Sequence, residues 1–554
     1  MTTPSASSAP AETPATPAAQ PSLADRLSAD SAWWLILGAI LVLAAILRFD
    51  ALPTRGTWDA DQGHDMLTLM AFVRDGVFPL VGPPTSIGDF HHGAAYYYLL
   101  APSAWLGGGD PAFVVGEIAL LGVLAVALVA SLARSVGGTL AGVIAGLLMA
   151  ISATAIDEST FLWNPNLVAF TSALAVTAAW RAWTTRRARW WLLAAAAQAA
   201  TMQCHVLGFV LLPPLIVWLV ADARRRTGTE RRAILNVAVG AIAVIALSYV
   251  PLLASELQTR FHETTEALAF LAGGGQAVAS GPLVRMVFVT LRVLAWPVTG
   301  LLIDSLAIGV PAAVVVGTFA VWRARVATGP EHDLARWLAA TIAWSCVILG
   351  IAISGLATVT PLPVDHYHAF LDPLVYLVVG LGLAGLARLG GREAPGRTPE
   401  RAGLGGTAPV GAVAVVALMV VLAGWNIARM PPFVARDGGY PAAEVAARRI
   451  VTDVGGRTGL LASLPDFKSS EAYVYPVQRL GGHLRADITD TFGLAAYVVV
   501  CDDLFVTDCG GAAEDHSVAA LAEPLRLVDR FVAAPGRTIS VYIGSAPVVL
   551  RDAR

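Results

Sequence analysis

The feature that most constrains this chain is a recurrence of uncharged apolar stretches about 20 residues long, the length that a helix needs to cross ~30 Å of hydrocarbon. Of its 554 residues, 56% are hydrophobic and only 14% are charged, and the mean hydropathy is +0.65. A soluble domain carries roughly 25% charged residues. We therefore expect a polytopic membrane protein whose partner is the lipid bilayer, and we expect no nucleic-acid partner.

Hydropathy predicts about eleven membrane spans. They lie at 31–48, 111–133, 138–156, 166–183, 189–203, 205–221, 233–253, 303–322, 334–355, 369–388 and 408–427. The segment 283–298 is apolar but contains Arg285 and Arg292, so we place it at the membrane interface. Residues 1–30 predict a disordered cytoplasmic tail without a cleavable signal peptide. The predicted domains are this tail, a membrane module at 31–429 and an extracytoplasmic domain at 430–554.

The arginines predict the orientation of the bundle. They cluster in the loops at 186–189, 224–232, 323–336 and 392–401, which the positive-inside rule assigns to the cytoplasm. With an odd number of spans, the N-terminus is then cytoplasmic and the C-terminal domain extracytoplasmic. Arginine replaces lysine almost everywhere, and alanine and glycine are abundant, which is typical of a high-GC bacterium. We therefore expect a multi-pass protein of the bacterial plasma (inner) membrane.

The C-terminal region has the pattern of a small α/β domain. Apolar spacing predicts a helix at 442–451 and strands at 497–500 and 538–543. Cys501 and Cys509 are close in the sequence and both fall on the predicted outer side, where disulfides persist. We predict that they form a disulfide.

Polar residues gather at the predicted outer ends of the spans. The long first outer loop, 49–110, and three later turns supply Asp59, Asp61, Gln62, His91, His92, Asp157, Glu158, Asn164, His205, His366, Tyr367 and His368. Polar groups kept near hydrocarbon are costly and usually have a task. A single polar site at the outer membrane boundary would explain why these residues gather on one side of the membrane. The alternative is a set of solvated loops whose charges cap helices.

The first outer loop also resembles a known family. An Asp soon after the first span, about 15 residues before Gly76, is followed by a Pro-rich segment and an aromatic run. This pattern resembles the GT-C superfamily of membrane glycosyltransferases, and within it the glycosyltransferase 39 family of protein O-mannosyltransferase-like and aminoarabinose-transferase-like enzymes. Asp61 takes the family's Asp position, and Gln62 replaces the usual Glu. The resemblance covers roughly 31–390, including Trp163-Asn164-Pro165, the turn at Gln203–His205 and His366-Tyr367.

The resemblance implies an all-α bundle of the GT-C type and a transferase. Such an enzyme moves a sugar from a polyprenyl-phosphate donor to an extracytoplasmic acceptor hydroxyl. A carboxylate then acts as general base; Asp61 is the first choice and Asp59 the second. The leaving phosphate needs donors or cations, for which His366 and His368 compete with Arg260, Arg285 and Arg292.

Each of these candidates also has a structural interpretation. For the arginines, snorkelling to the interface is the favoured interpretation. The histidines at 91, 92 and 205 are consistent either with sugar binding or with structural hydrogen bonds. Tyr367, Gln62, Asp157, Glu158 and Asn164 are candidates for substrate binding by position alone. Carboxylates and histidines are typical metal ligands, but their spacing matches no zinc pattern, so we expect no required cofactor and leave a divalent cation as the alternative.

Two other functions compete with transfer. A transporter or lipid flippase is favoured only by Asp304 and Glu117, and no internal repeat is evident. A non-catalytic scaffold would not need the polar clustering. No P-loop is present, and the Gly-x-Gly-x-x-Gly at 380–385 lies inside an apolar span, so it indicates helix packing and not a dinucleotide site.

Overall fold

The computed structural model describes residues 23–85, 89–273, 281–301, 305–355, 366–389, 410–465, 470–487, 494–503, 508–521 and 524–544. Most of the predicted N-terminal tail and Asp304 lie outside these residues.

The described part of the chain up to residue 428 is almost entirely helical. The helices are α1 (Leu23–Phe49), α2 (Leu52–Arg55), α3 (Ala60–Asp75), α4 (Ala95–Leu106), α5 (Pro111–Ile151), α6 (Ala153–Asp157), α7 (Val168–Thr185), α8 (Trp190–Cys204), α9 (Leu212–Arg224), α10 (Gly228–Ser248), α11 (Val250–Gln258), α12 (His262–Ala272), α13 (Pro282–Leu294), α14 (Trp296–Thr299), α15 (Leu306–Val326), α16 (Gly329–Val347), α17 (Asp372–Leu389) and α18 (Val410–Ala428). Two short strands, β1 (Val81–Pro84) and β2 (His91–Gly93), form an antiparallel pair between α3 and α4.

Several of these helices can cross a bilayer. Eight helical stretches in the described residues are long and apolar enough. One of them, α5, has 41 residues and bends at Gly138, whose φ of 79° and ψ of 178° are not helical. It therefore covers two predicted spans. The predicted spans at 166–183 and 189–203 correspond to α7 and α8, which are not among the eight. The multi-span class is confirmed, whereas the count of eleven stays a prediction.

The helix α17 forms the centre of the bundle, and 94% of its apolar window is buried. Its glycines allow close packing. A Cβ atom on Gly380 would lie 2.7 Å from the Cβ of Ala145 on α5, and one on Gly382 would lie 2.4 Å from the ring of Phe319 on α15. The small residues thus let neighbouring backbones approach, as the sequence predicts for this glycine motif.

The C-terminal region folds around a five-stranded sheet. Its elements are α19 (Gly439–Val454), β3 (Thr458–Leu464), α20 (Ser470–Arg479), β4 (His483–Arg485), β5 (Ala496–Asp502), α21 (Ala512–Ala519), β6 (Leu525–Ala534) and β7 (Arg537–Gly544). The strand order is β4-β3-β5-β7-β6, in which β4, β3 and β5 run parallel and β7 is antiparallel to both neighbours. The predicted helix at 442–451 and strands at 497–500 and 538–543 are confirmed, and so is the disulfide between Cys501 and Cys509.

The C-terminal domain packs directly on the N-terminal part of α3. A Cβ atom on Gly63 would lie only 2.0 Å from the backbone oxygen of Glu471 at the start of α20, so the two backbones are in contact. The indole of Trp58 packs edge-on against Tyr440, with ring centroids 4.6 Å apart. We call the end of the bundle that meets this domain the domain end. These contacts hold the bundle and the C-terminal domain together, and these are the two sides of the candidate site.

Candidate active site

A cavity of about 510 Å³ lies between the domain end of the bundle and the C-terminal domain. This volume is in the range of small-molecule sites. The two sides of the cavity both supply charged groups. The bundle contributes Arg55, Thr57, Asp59, Asp61, Gln62, Asp157, Phe161 and Trp163, and the segment after α18 contributes Pro432, Ala435, Arg436, Asp437, Asp502, Asp503, Pro535 and Arg537.

The first turn of α3 brings three predicted residues to the cavity. Asp59 is the N-cap, and its side chain accepts a hydrogen bond from the N–H of Ala60 at 2.8 Å. Gln62 completes a capping box, because its Oε1 accepts from the N–H of Asp59 at 2.8 Å. The Gln62 amide also donates to the carbonyl of Leu162 at 2.8 Å. Asp59 and Gln62 therefore fix the start of the helix. Asp61, between them, is exposed and lines the cavity.

A second carboxylate enters the cavity from α6. Asp157 is the last residue of α6, and its side chain is 36% exposed. Its Oδ2 lies 3.7 Å from Nε2 of His366, which is completely buried. The structure therefore brings Asp61 and Asp157 to one cavity although nearly one hundred residues separate them in the sequence.

Hydrogen bonds fix the orientation of the His366 ring. The Asn166 amide N–H donates to the carbonyl of Phe161 at 2.8 Å, so its Oδ1 faces Nδ1 of His366 at 2.7 Å. An amide oxygen only accepts hydrogen bonds; Nδ1 of His366 must therefore bear the proton. In the neutral ring, Nε2 then presents its lone pair on the side of Asp157. Only a second proton would make His366 a donor to this carboxylate.

A row of stacked rings continues from the cavity wall into the protein. Trp163 lines the cavity and lies 5.6 Å from the ring of Tyr367. Tyr367 stacks on His205 with centroids 5.0 Å apart and planes 15° apart, and His205 lies 5.0 Å from His92. Burial, aided by neighbouring His91, lowers the pKa of His92 to about 4, so its ring is neutral at physiological pH. The inner end of this row of rings, at His92, therefore carries no charge.

The other predicted site residues do not line the cavity. Asn164 donates from its amide to the carbonyl of Cys204 at 2.6 Å, which ties the loop after α6 to α8. His91 contacts Glu263 through its ring at 2.9 Å and its N–H at 2.7 Å. His368 and Glu158 are buried. Arg260 is exposed at the end of α11 and outside the cavity.

Snorkelling is the wrong interpretation for Arg292 of α13, and Arg285 of the same helix contacts a neighbouring segment. Arg292 is buried and forms an ion pair with Asp372 at 3.0 Å, and it lies 3.8 Å from Glu158. Arg285 donates from Nε to the hydroxyl of Ser354 at 3.1 Å. The sequence gives no sign of the pair between Arg292 and Asp372. Arg292 has apolar neighbours in the sequence, and its carboxylate partner lies on a different helix, α17.

Three other arginines line the cavity instead, and sequence reasoning did not select them. Arg55 is buried, donates to the carbonyl of Leu47 at 2.6 Å and lies over the Phe433 ring. Arg537 pairs with Asp59 at 2.9 Å and Asp502 at 3.4 Å. Arg436 is exposed, and within the described residues it has no ion-pair or hydrogen-bond partner. Arg436 and Arg537 lie beyond the part of the chain that the family resemblance covers.

The described residues contain no group of three or more His, Cys, Asp or Glu side chains arranged to hold a metal ion.

Comparison with known proteins identifies the fold. A family model described as dolichyl-phosphate-mannose-protein mannosyltransferase matches residues 91–249. The crystal structure of ArnT from Cupriavidus metallidurans bound to undecaprenyl phosphate superposes with a TM-score of 0.58 at 13% identity, over 92% of this chain and 98% of that chain. The chain has the GT-C fold. The predicted resemblance to this superfamily is thereby confirmed.

Other comparisons are consistent with this assignment or add nothing to it. ArnT from Cupriavidus metallidurans in the apo state gives the same TM-score of 0.58 at 13% identity, over 93% of this chain and 98% of that chain. The archaeal oligosaccharyltransferase AglB from Archaeoglobus fulgidus, in complex with an inhibitory peptide and a dolichol-phosphate, has a TM-score of 0.45 at 15% identity, over 76% of this chain and 58% of that chain. No curated protein matches the sequence.

The family model covers only one side of the cavity. The matched segment 91–249 contains Asp157, Trp163 and His205. It begins after Asp61 and ends before the C-terminal domain that forms the other wall of the cavity.

Proposed function

We propose that this protein is an integral membrane glycosyltransferase that moves a hexosyl or pentosyl group from a polyprenyl-phosphate donor to an extracytoplasmic acceptor hydroxyl. The observation that carries the proposal is the cavity at the domain end, where Asp61 and Asp157 meet arginines from both walls. The fold supports it, because ArnT, which shares this fold, was solved with undecaprenyl phosphate bound. The matched family is named for transfer from dolichyl-phosphate-mannose.

The base in this proposal is Asp61. Transfer forms a bond between the acceptor oxygen and the anomeric carbon and breaks the bond from that carbon to the lipid phosphate, while the acceptor proton passes to the base. Asp59 fits this role less well, because its oxygens are engaged by the N–H of Ala60 and by Arg537. Asp61 projects from the same turn into the cavity. Asp157, beside His366, orients the acceptor or the sugar.

The leaving phosphate needs a cation in this cavity. Arg537 and Arg55 are already engaged, by carboxylates and by a carbonyl respectively. Arg436 is exposed to the cavity and, in the described part of the chain, contacts no carboxylate. A guanidinium can bind two phosphate oxygens at once. We therefore assign the phosphate to Arg436, ahead of the sequence candidates His366, His368 and Arg260.

The charge of the loops indicates the face of the membrane on which the proposed reaction occurs. The arginine clusters of the loops favour a position of the domain end outside the cytoplasm, and we propose that donor and acceptor are used there, at the plasma membrane of a bacterium. The acceptor is a glycolipid, a cell-envelope glycan or a protein. Trp163 lines the cavity and presents an aromatic surface suited to a sugar or an isoprenoid, and the stacked rings of Tyr367, His205 and His92 lie behind it. No cofactor enters these steps.

A transfer assay in detergent or nanodiscs tests the class of function. Purified protein is incubated with radiolabelled polyprenyl-phosphate sugars and a membrane extract, and labelled product is separated from donor. We expect label in a new product and release of polyprenyl phosphate. In parallel, the protein in liposomes is tested for movement of the same lipid and of free sugars between leaflets. Flux without any transfer would replace the transferase by a transporter or flippase.

A further inference from the structure

The loop that bears the acidic residues of the cavity is bound at several points by the C-terminal domain. The hydroxyl of Thr57 and the N–H of Trp58 both donate to Oδ2 of Asp437, at 2.6 Å and 2.8 Å. The indole N–H of Trp58 donates to the carbonyl of Ala472 at 2.6 Å. The path of the chain into α3 is therefore fixed by the domain and not by the bundle alone.

Arg537 lies at the centre of this contact. Its guanidinium lies 2.9 Å from Oδ2 of Asp59, donates to the carbonyl of Trp58 at 3.1 Å and lies 3.4 Å from Oδ2 of Asp502. Asp502 faces it by sheet register, because the last residue of β5 pairs with the first of β7. Arg537 is 9% exposed, and a buried guanidinium with several acceptors has few alternative positions.

The contact continues from Arg537 to Asp61. Asp59 is the N-cap of α3, and the capping box joins it to Gln62, whose amide is anchored on the carbonyl of Leu162. Asp61 lies between these two residues. Its side-chain direction is therefore set by the start of the helix, and the start of the helix is set by Asp59 and its partner Arg537.

We propose that Arg537 is a positioning residue for catalysis: by holding the capping carboxylate of Asp59, it orients Asp61 in the cavity. The C-terminal domain is then part of the catalytic apparatus. This inference rests on the proposed function. It also assigns Asp59, the second-choice base of the sequence analysis, a positioning role.

Kinetics of full-length variants test the proposal. Arg537→Gln should lower kcat for sugar transfer by about 10- to 100-fold, because a displacement near 1 Å at a reacting group has effects of this size. The KM for the lipid donor should change less than about threefold, since Arg537 is not assigned to the phosphate. Arg537→Lys, which keeps the charge but not the fork of donors, should recover part of the rate.

A double-mutant cycle separates positioning from general stability. In an Asp59→Asn background, Arg537→Gln should cost little more than Asp59→Asn alone, because both variants break the same link. Arg449→Gln is the matched control, since Arg449 forms an exposed pair with Asp529 at 2.7 Å in the same domain, outside the cavity. An unchanged kcat in Arg537→Gln would overturn the proposal. It would also be overturned if the fall in kcat of the double variant equalled the product of the two single falls.

Hydrogen exchange provides a measurement that does not depend on transfer. Arg537→Gln releases the capping carboxylate of Asp59. Complete loss of a cap destabilises a helix start by about 1 kcal/mol, so this variant should speed amide exchange at residues 60–63 by up to roughly fivefold. Arg449→Gln should leave these amides unchanged. Unchanged exchange in Arg537→Gln refutes the link even if the wild type transfers no sugar. Wild-type transfer that Asp61→Asn abolishes and Arg537→Gln does not affect would refute this inference alone.

Discussion

Gly63 gives the sharpest test of how the C-terminal domain packs on α3. In a helix, Gly→Ala ordinarily stabilises by up to about 1 kcal/mol. Here the new Cβ would lie 2.0 Å from the carbonyl oxygen of Glu471, and its other near neighbours are also backbone atoms of α20. Because Cβ contacts below 3.0 Å essentially never occur, α3 and α20 must separate by about 1 Å.

The contact outweighs the helix propensity in this case. Overpacking costs about 1–3 kcal/mol when the neighbour cannot rotate away, and a backbone carbonyl cannot. We therefore expect Gly63→Ala to lower the melting temperature of the purified protein. The same separation would weaken the contact between His64 and Glu471, now at 3.1 Å, and would move Asp61, so kcat should fall by up to about 100-fold.

A second glycine supplies the control for this experiment. Gly424 lies in helix α18, and a Cβ atom added to it would meet nothing within 4 Å. Gly424→Ala should leave melting temperature and transfer at or slightly above the wild-type values. Thermal melting by intrinsic fluorescence and the transfer assay are applied to both variants. Gly63→Ala with wild-type stability and full transfer would refute the close docking of α3 on α20.

Three further predictions concern single side chains. Burial raises the pKa of Asp65 to about 7. A carboxyl group whose pKa is raised by folding stabilises the protein below its unfolded pKa, near 4, and this contribution is lost as the pH rises through 7. The wild type should therefore lose up to about 4 kcal/mol of unfolding free energy relative to Asp65→Asn between pH 4 and pH 8. A pH-independent difference in chemical unfolding between these proteins would contradict this. His366→Ala should lower kcat in the wild type but have little effect in an Asp157→Asn background, whereas equal losses in both would show that His366 acts elsewhere. Arg436→Gln should raise the KM for the lipid donor by about tenfold or more, as expected for a charged hydrogen bond, with Arg436→Lys closer to wild type; an unchanged KM would remove Arg436 from the phosphate site.

Local patterns explain what the sequence could predict. The membrane class, the helix at 442–451 and the strands at 497–500 and 538–543 follow from apolar periodicity, which depends on neighbouring residues alone. The link between Cys501 and Cys509 follows from their short separation. The predicted arrangement of the spans also put Asp61 and Asp157 on the same side of the membrane. The structure brings both residues to one cavity.

Long-range contacts explain what the sequence could not predict. The pair of Asp59 and Arg537 joins opposite ends of the chain and exists only because the domain docks on α3. The buried pair of Arg292 and Asp372 likewise joins two separate helices. The role of Gln62 has a local signal in the sequence, because Asp59-x-x-Gln62 has capping-box spacing. Its amide donates to Leu162, which a glutamate could not do when ionised.

The most direct test of Asp61 as the general base is the rate of sugar transfer by Asp61→Asn, measured with purified protein and saturating polyprenyl-phosphate donor. Asparagine keeps the shape of the side chain and removes its capacity to accept a proton. We expect kcat to fall by about 10²- to 10⁴-fold, the usual contribution of a general base, with melting temperature and donor binding unchanged. Transfer at the wild-type rate by Asp61→Asn would contradict the assignment of the base and, with it, the catalytic cavity described above.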